Sequence, residues 1–249
     1  MNDYYTQAAR QNSTAQAAIY DAGLRAYMLK IYNYMGSALA ITGIVALLAV
    51  QSPAFLNAMY VMEGTAVTGM KPLAWIIMLA PLGMSMWMGF ALHKMSLGAA
   101  QAGFWGFAVV MGLSLTTLFL TYTGTSIARV FFITAGTFGT MSIYGYTTQR
   151  DLTKLGSFLI MGVIGLILAS LVNIFLQSSA LQFALSVIGV LVFTGLTAYD
   201  TQKLKNLYYE LQIEGEAMAK TVIMGALTLY LDFINIFISL MHLLGDRRQ

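Results

Sequence analysis

Two carboxylates stand where hydrocarbon is expected. Asp232 lies in the middle of the apolar stretch LTLYLDFINIFISL, and Asp200 closes the preceding apolar stretch in GLTAYDTQKLK. A carboxylate at membrane depth is costly, so an ionisable residue there marks a functional site by default. On a helix, Thr228 and Asn235 share the face of Asp232, while Thr197 lies one turn before Asp200 and Tyr199 directly precedes it. If the two faces meet, the acids become a unit. Two close carboxylates in a low dielectric do not readily both ionise, so the pair shares a proton and titrates as a coupled system. Half-protonated, it ties its helices together; fully ionised, it repels them or binds a cation. The other reading open to the residues is that each Asp bonds a neighbouring Tyr, Thr or Asn and fixes packing.

The elements that must position these acids are membrane spans. Of 249 residues, 58% are hydrophobic and 9% charged, against about 25% charged in an ordinary soluble domain; the mean hydropathy is +0.72. This is the composition of an all-α integral membrane protein. A net charge of +3 would suit nucleic acid, but the basic residues are scattered among loops without a common face, which excludes that partner. With no Cys, disulfides, thiolate metal sites and Cys nucleophiles are excluded too.

A span needs roughly 20 apolar residues, and seven stretches qualify: 31–51, 72–92, 102–122, 127–147, 156–176, 181–201 and 221–244. Their short connections predict a compact seven-helix bundle. Residues 1–30 read as a polar cytoplasmic tail and 31–249 as a single transmembrane domain. The sixth helix is expected to run on past Asp200, with Lys203 and Lys205 reaching the headgroups. With the N-terminus inside, the inner segments hold Arg10, Arg25, Lys30, Lys94, Arg150, Lys154, Lys203, Lys205 and Lys220, and the outer ones Lys71, Arg129, Arg247 and Arg248. Nine against four favours a cytoplasmic N-terminus. Glycine pairs such as Gly136/Gly139 and Gly162/Gly165 predict close helix packing. Tyr32, Tyr34, Trp75, Trp105, Tyr122, Tyr144 and Tyr146 fall where an interfacial aromatic belt would place them.

The stretches TGLTAYDTQKLKNL (194–207) and GALTLYLDFINIFI (225–238), with KMS (94–96) and GTMSIYGYTTQRDL (139–152), resemble the Bax inhibitor family of transmembrane proteins, in its bacterial inner-membrane form. The resemblance implies a seven-helix bundle whose last helix is enclosed by the others. It also implies a proton-regulated calcium leak gated by an aspartate pair matching Asp200 and Asp232. Some bacterial relatives add a second-helix Arg that latches onto the sixth-helix Asp; this sequence has no Arg between 72 and 92.

The expected function is therefore a passive cation pathway, because hard divalent ions take oxygen ligands and these are the acids near the bundle interior. Calcium would contact Asp232 and Asp200 in passing, supported by Asn235, Thr228, Thr197 and Tyr199. The expected partners are the lipid bilayer, calcium or protons, and other membrane proteins, with no cofactor and no catalysis. A regulatory protein that binds a membrane protease or stress factor without transport is the alternative. An intramembrane aspartyl protease fits less well, since Asp232 follows LYL and not Gly-x-Gly.

Overall fold

The computed structural model describes the backbone of residues 2–63, 66–211 and 215–248, and the side chains of 22–61, 68–92, 94–210 and 215–248. The elements run α1 (Asn2–Val50), α2 (Pro53–Met59), β1 (Tyr60–Glu63), β2 (Ala66–Met70), α3 (Pro72–Ala91), α4 (Leu97–Thr121), α5 (Gly124–Thr147), α6 (Thr153–Leu176), α7 (Ser179–Leu211) and α8 (Glu216–Leu244). Seven of the helices are long and apolar enough to cross a membrane, the first of them from Ala22. The chain is thus an all-α, multi-pass membrane protein. Alternating spans put the α3–α4, α5–α6 and α7–α8 connections on the face from which α1 enters, the N-terminal face.

Helix ends follow local chemistry. Pro72 opens α3 at a position whose missing N–H costs nothing. Ser96 and Thr123 cap α4 and α5 by accepting from Ala99 N and Ser126 N. Gln177, at φ 48°, turns α6 into α7 with a left-handed residue, and Asn173 Oδ1 accepts from Ser178 N across the turn.

The structure differs from the expected spans mainly at the start. The segment expected as a polar tail up to residue 30 belongs to α1, and among the described residues Leu24, Tyr27 and Met28 already pack in the core, each at most 4% exposed. These continue through Ile31, Met35 and Ala38 as one buried helical stripe. Arg25 and Lys30 simply lie on its exposed side. Between α1 and α3 the structure adds α2 and the antiparallel hairpin β1–β2, paired from Tyr60↔Met70 to Glu63↔Ala66. Tyr60, the first residue of β1, is buried, with its hydroxyl 2.8 Å from Thr117 Oγ1 of α4.

α8 is the most buried span, with 67% of its apolar window inside the protein against 39% or less for the others. It packs on α1, α4, α5 and α7. Helices approach closely where glycine removes a side chain, and of the glycines marked by spacing Gly162 takes part, where a Cβ would come 3.3 Å from Val192. Gly136, Gly139 and Gly165 have open space where a Cβ would stand. Two closer approaches are Gly112, where a Cβ would come 2.7 Å from Thr42 O, and Gly145, where it would overlap the Ala198 carbonyl. Spacing identifies a helix face but not what that face meets. Similarly, Tyr122 is not a belt residue; it is 3% exposed and part of the core.

Candidate functional site

The depth of the two acids is set by how α7 and α8 run side by side. Gly225 lies against Leu204 and Gly189 against Ser239, which brings Asp200 level with Thr228 and Leu229. Asp232 therefore sits about one helical turn, roughly 5 Å, further toward the opposite face. Side chains lean toward the N-terminus of their own helix. Because the helices are antiparallel, Asp200 leans toward the opposite face and Asp232 toward the N-terminal face. The offset closes, and the two carboxyls come within hydrogen-bonding reach of each other.

Asp232 is 4% exposed, and its Oδ2 is buried without a hydrogen bond from any donor among the described residues. The ion pairs among those residues, Arg129–Asp246 and Lys220–Glu216, do not involve either acid. A carboxyl in that position is satisfied by a proton shared with its neighbour, or by water or a cation. Asp200 has a softer setting. Lys203, one turn on along α7, lies close enough to attract it electrostatically, and the Lys203 ammonium also stands 5.9 Å from the centre of the Tyr199 ring. The positive charge beside Asp200 thus comes from its own helix.

A cavity of about 690 Å³ opens beside the pair toward the N-terminal face. Asp200, Lys203, Leu204, Lys220 and Thr228 line it, with Glu216 holding Lys220 at 3.0 Å. Thr228 therefore joins Asp200 at this cavity. The other supporting residues go elsewhere. Thr197, fully buried, donates to Phe193 O of its own helix at 2.9 Å. The Tyr199 ring occupies the space left by Gly156 of α6. Asn235 donates to Leu231 O and lines a separate cavity between α6, α7 and α8.

Two expectations about lysine change. α7 does run past Asp200, but Lys205 does not reach for headgroups: its Nζ donates to Tyr146 O at 2.8 Å. That carbonyl belongs to the last turn of α5, where helix oxygens lack partners and attract a cation. Lys203 turns to the cavity. Sequence reading also missed Gln202, whose side chain accepts from Leu152 N at 2.9 Å and donates to Arg150 O at 2.8 Å, pinning the α5–α6 connection to α7. It missed Thr42 and Tyr230 as well, whose hydroxyls meet at 2.7 Å; the available signal was a lone Thr within the first apolar run.

Comparison with known proteins agrees with this architecture. The family described as inhibitor of apoptosis-promoting Bax1 matches residues 24–249. An uncharacterized protein of Rickettsia prowazekii is 50% identical over 237 residues, covering 95% of this chain and 96% of its own. An uncharacterized protein of Caulobacter vibrioides is 44% identical over 250 residues, the full length of each. The inner membrane protein YbhL of Escherichia coli is 42% identical over 228 residues, covering 91% of this chain and 94% of its own. With a match from α1 to the C-terminus that takes in both acids, the chain belongs to the Bax inhibitor family.

Proposed function

We propose that the protein is a pH-sensitive, passive calcium leak whose gate is the Asp200–Asp232 pair. The observation that carries this reading is the meeting of two carboxyls on α7 and α8, one of them in the wall of a cavity and the deeper one with no cation paired to it. With a proton between them, the carboxyls hold α7 against α8. Loss of that proton leaves two like charges in a low dielectric, and their repulsion separates the helices. The same event offers two carboxylates to a hard cation. Among the described residues no third His, Asp or Glu joins them, so an ion would be held by few protein oxygens and released readily, as conduction requires.

The name of the Escherichia coli relative and the excess of Lys and Arg on the N-terminal face support an inner-membrane location with a cytoplasmic N-terminus. The test is calcium entry into liposomes containing the purified protein, read with a trapped indicator at several pH values. The leak should rise with pH and be lost in Asp232→Asn. A protein that acts only by binding partners would carry no flux in the same liposomes, and an Asp232→Asn variant that leaks like wild type would remove the pair from the gate.

A further inference from the structure

Asp232 lines neither of the cavities on its two sides, yet its neighbours on α8 line both. Thr228, one turn toward the N-terminal face, lines the 690 Å³ cavity. Asn235, one turn the other way, lines a second cavity of about 310 Å³. From Asn235 the polar residues continue along the same helical face as Ser239 and His242. α7 meets that stripe with Gln182, Ser186 and Gly189. Gly189 is needed there, since a Cβ would come 2.6 Å from Ser239 Oγ.

These groups are not fully satisfied by the protein. Asn235 uses its amide N–H on Leu231 O, whereas its Oδ1 and the Ser239 hydroxyl have no partner among the described residues. The α6 wall of this space of about 310 Å³ is apolar, with Ile167, Leu171 and Ile174 about half exposed, so the setting for water is the α7–α8 side, where these polar atoms stand. The far end of the crevice is spanned by side chains. Asn173 Nδ2 of α6 donates to Gln182 Oε1 at 3.2 Å, and Gln182 Nε2 lies 3.1 Å from His242 Nδ1 of α8.

We propose that this crevice is an aqueous half-path from the face opposite the N-terminus, so that the Asp200–Asp232 pair is the dry barrier between two water-filled cavities. Its occupant is water and the hydrated cations that water carries. The proposal extends the leak reading by naming the route on the far side of the gate, but water access is measured separately from flux.

The chain has no Cys, so a single substitution gives a single thiol. The experiment places Ser239→Cys, Asn235→Cys, Thr228→Cys and Leu168→Cys variants in vesicles of known sidedness and treats them with a charged, membrane-impermeant alkylthiosulfonate. The thiolate, which forms in water and not in hydrocarbon, attacks the reagent's sulfenyl sulfur and displaces sulfinate, leaving a mixed disulfide. Leu168, 59% exposed on α6, is the lipid-facing control. Ser239→Cys should react from the face opposite the N-terminus at least about tenfold faster than Leu168→Cys, and Thr228→Cys only from the N-terminal face. Asn235→Cys supplies a second position in the same wall should Ser239→Cys fail to fold. Crevice thiols as slow as Leu168→Cys, whether shielded by lipid or by another helix, would overturn the proposal; so would Thr228→Cys reacting from both faces. Calcium flux with unlabelled crevice thiols sinks the half-path alone, and labelled thiols without flux sink the leak alone.

Discussion

Tyr230 of α8 donates its buried hydroxyl proton to Thr42 of α1, 2.7 Å away. The direction follows because the single Thr42 proton is already given to Ala108 O of α4 at 2.9 Å. One chain of hydrogen bonds thus joins α8, α1 and α4, at the level where Gly112 lets α4 approach Thr42. Residues two apart on a helix point roughly 200° apart, so holding Tyr230 on α1 turns Asp232 toward α7. The bond sets the rotation of α8 about its axis, and with it the aim of the gate.

That coupling is measurable. Tyr230→Phe and Thr42→Val, singly and together, form a double-mutant cycle read by unfolding in detergent. The coupling energy should be about 1 kcal/mol, within the range of interhelical hydrogen bonds in membranes. Additive effects would mean that the two hydroxyls do not hold α8. Tyr230→Phe should also weaken the pH response of the leak, although Tyr230 itself touches neither acid.

Gln202 is the corresponding tie at the N-terminal face. Gln202→Ala removes both hydrogen bonds from the connection between α5 and α6 and leaves the buried Leu152 N and the part-buried Arg150 O without them. The expected loss is about 1–3 kcal/mol. Faster amide exchange should be confined to residues 148–153 and the adjoining turn of α7. Gln202→Glu keeps the acceptor for Leu152 N but loses the donor to Arg150 O, so it should protect Leu152 and release Arg150. Uniform exchange across the bundle would instead indicate a general loss of stability.

The spans were legible because hydrocarbon thickness imposes a length that the apolar runs reveal, and Asp232 was legible because it is the one acidic residue in its run. The start of α1 was not. Counting charges hid the Leu24, Tyr27, Met28 and Ile31 stripe, which period would have exposed. Gln202 and Lys205 could not be found by the same means, because each acts on backbone groups about fifty or more residues away and leaves no local pattern. The separation in depth of Asp200 and Asp232 looked too large along the sequence. It closes through the opposed lean of side chains on antiparallel helices, a property of the pairing and not of either segment.

Gly145 tests whether α5 helps to place Asp200. A side chain there would run into the Ala198 backbone, two residues before Asp200. Unlike a long side-chain tip, a helix backbone cannot rotate away, so Gly145→Val should cost about 1–3 kcal/mol and displace α7 locally. The paired control is Gly136→Val, at a position with open space. It should leave thermal stability in detergent within about 1 kcal/mol of wild type, since valine is the better helix former of the two. Equal losses at both positions would mean that the α5–α7 contact does not decide the outcome.

The last prediction concerns the shared proton. In the proposed leak, rising pH removes a proton held between Asp200 and Asp232, and repulsion between the resulting charges opens the contact between α7 and α8. Asp200→Asn leaves an amide that can hydrogen-bond to Asp232 in either protonation state but adds no second negative charge. The steep part of the flux-against-pH curve should therefore flatten. Asp200→Glu restores the charge and should restore the rise, with its midpoint displaced because the longer side chain alters the contact. Calcium uptake by liposomes over a pH series distinguishes these outcomes. If Asp200→Asn kept the wild-type curve, proton sharing would not be what opens the leak, and Asp200 would be reduced to a polar residue in the wall of the cavity it shares with Lys203 and Thr228.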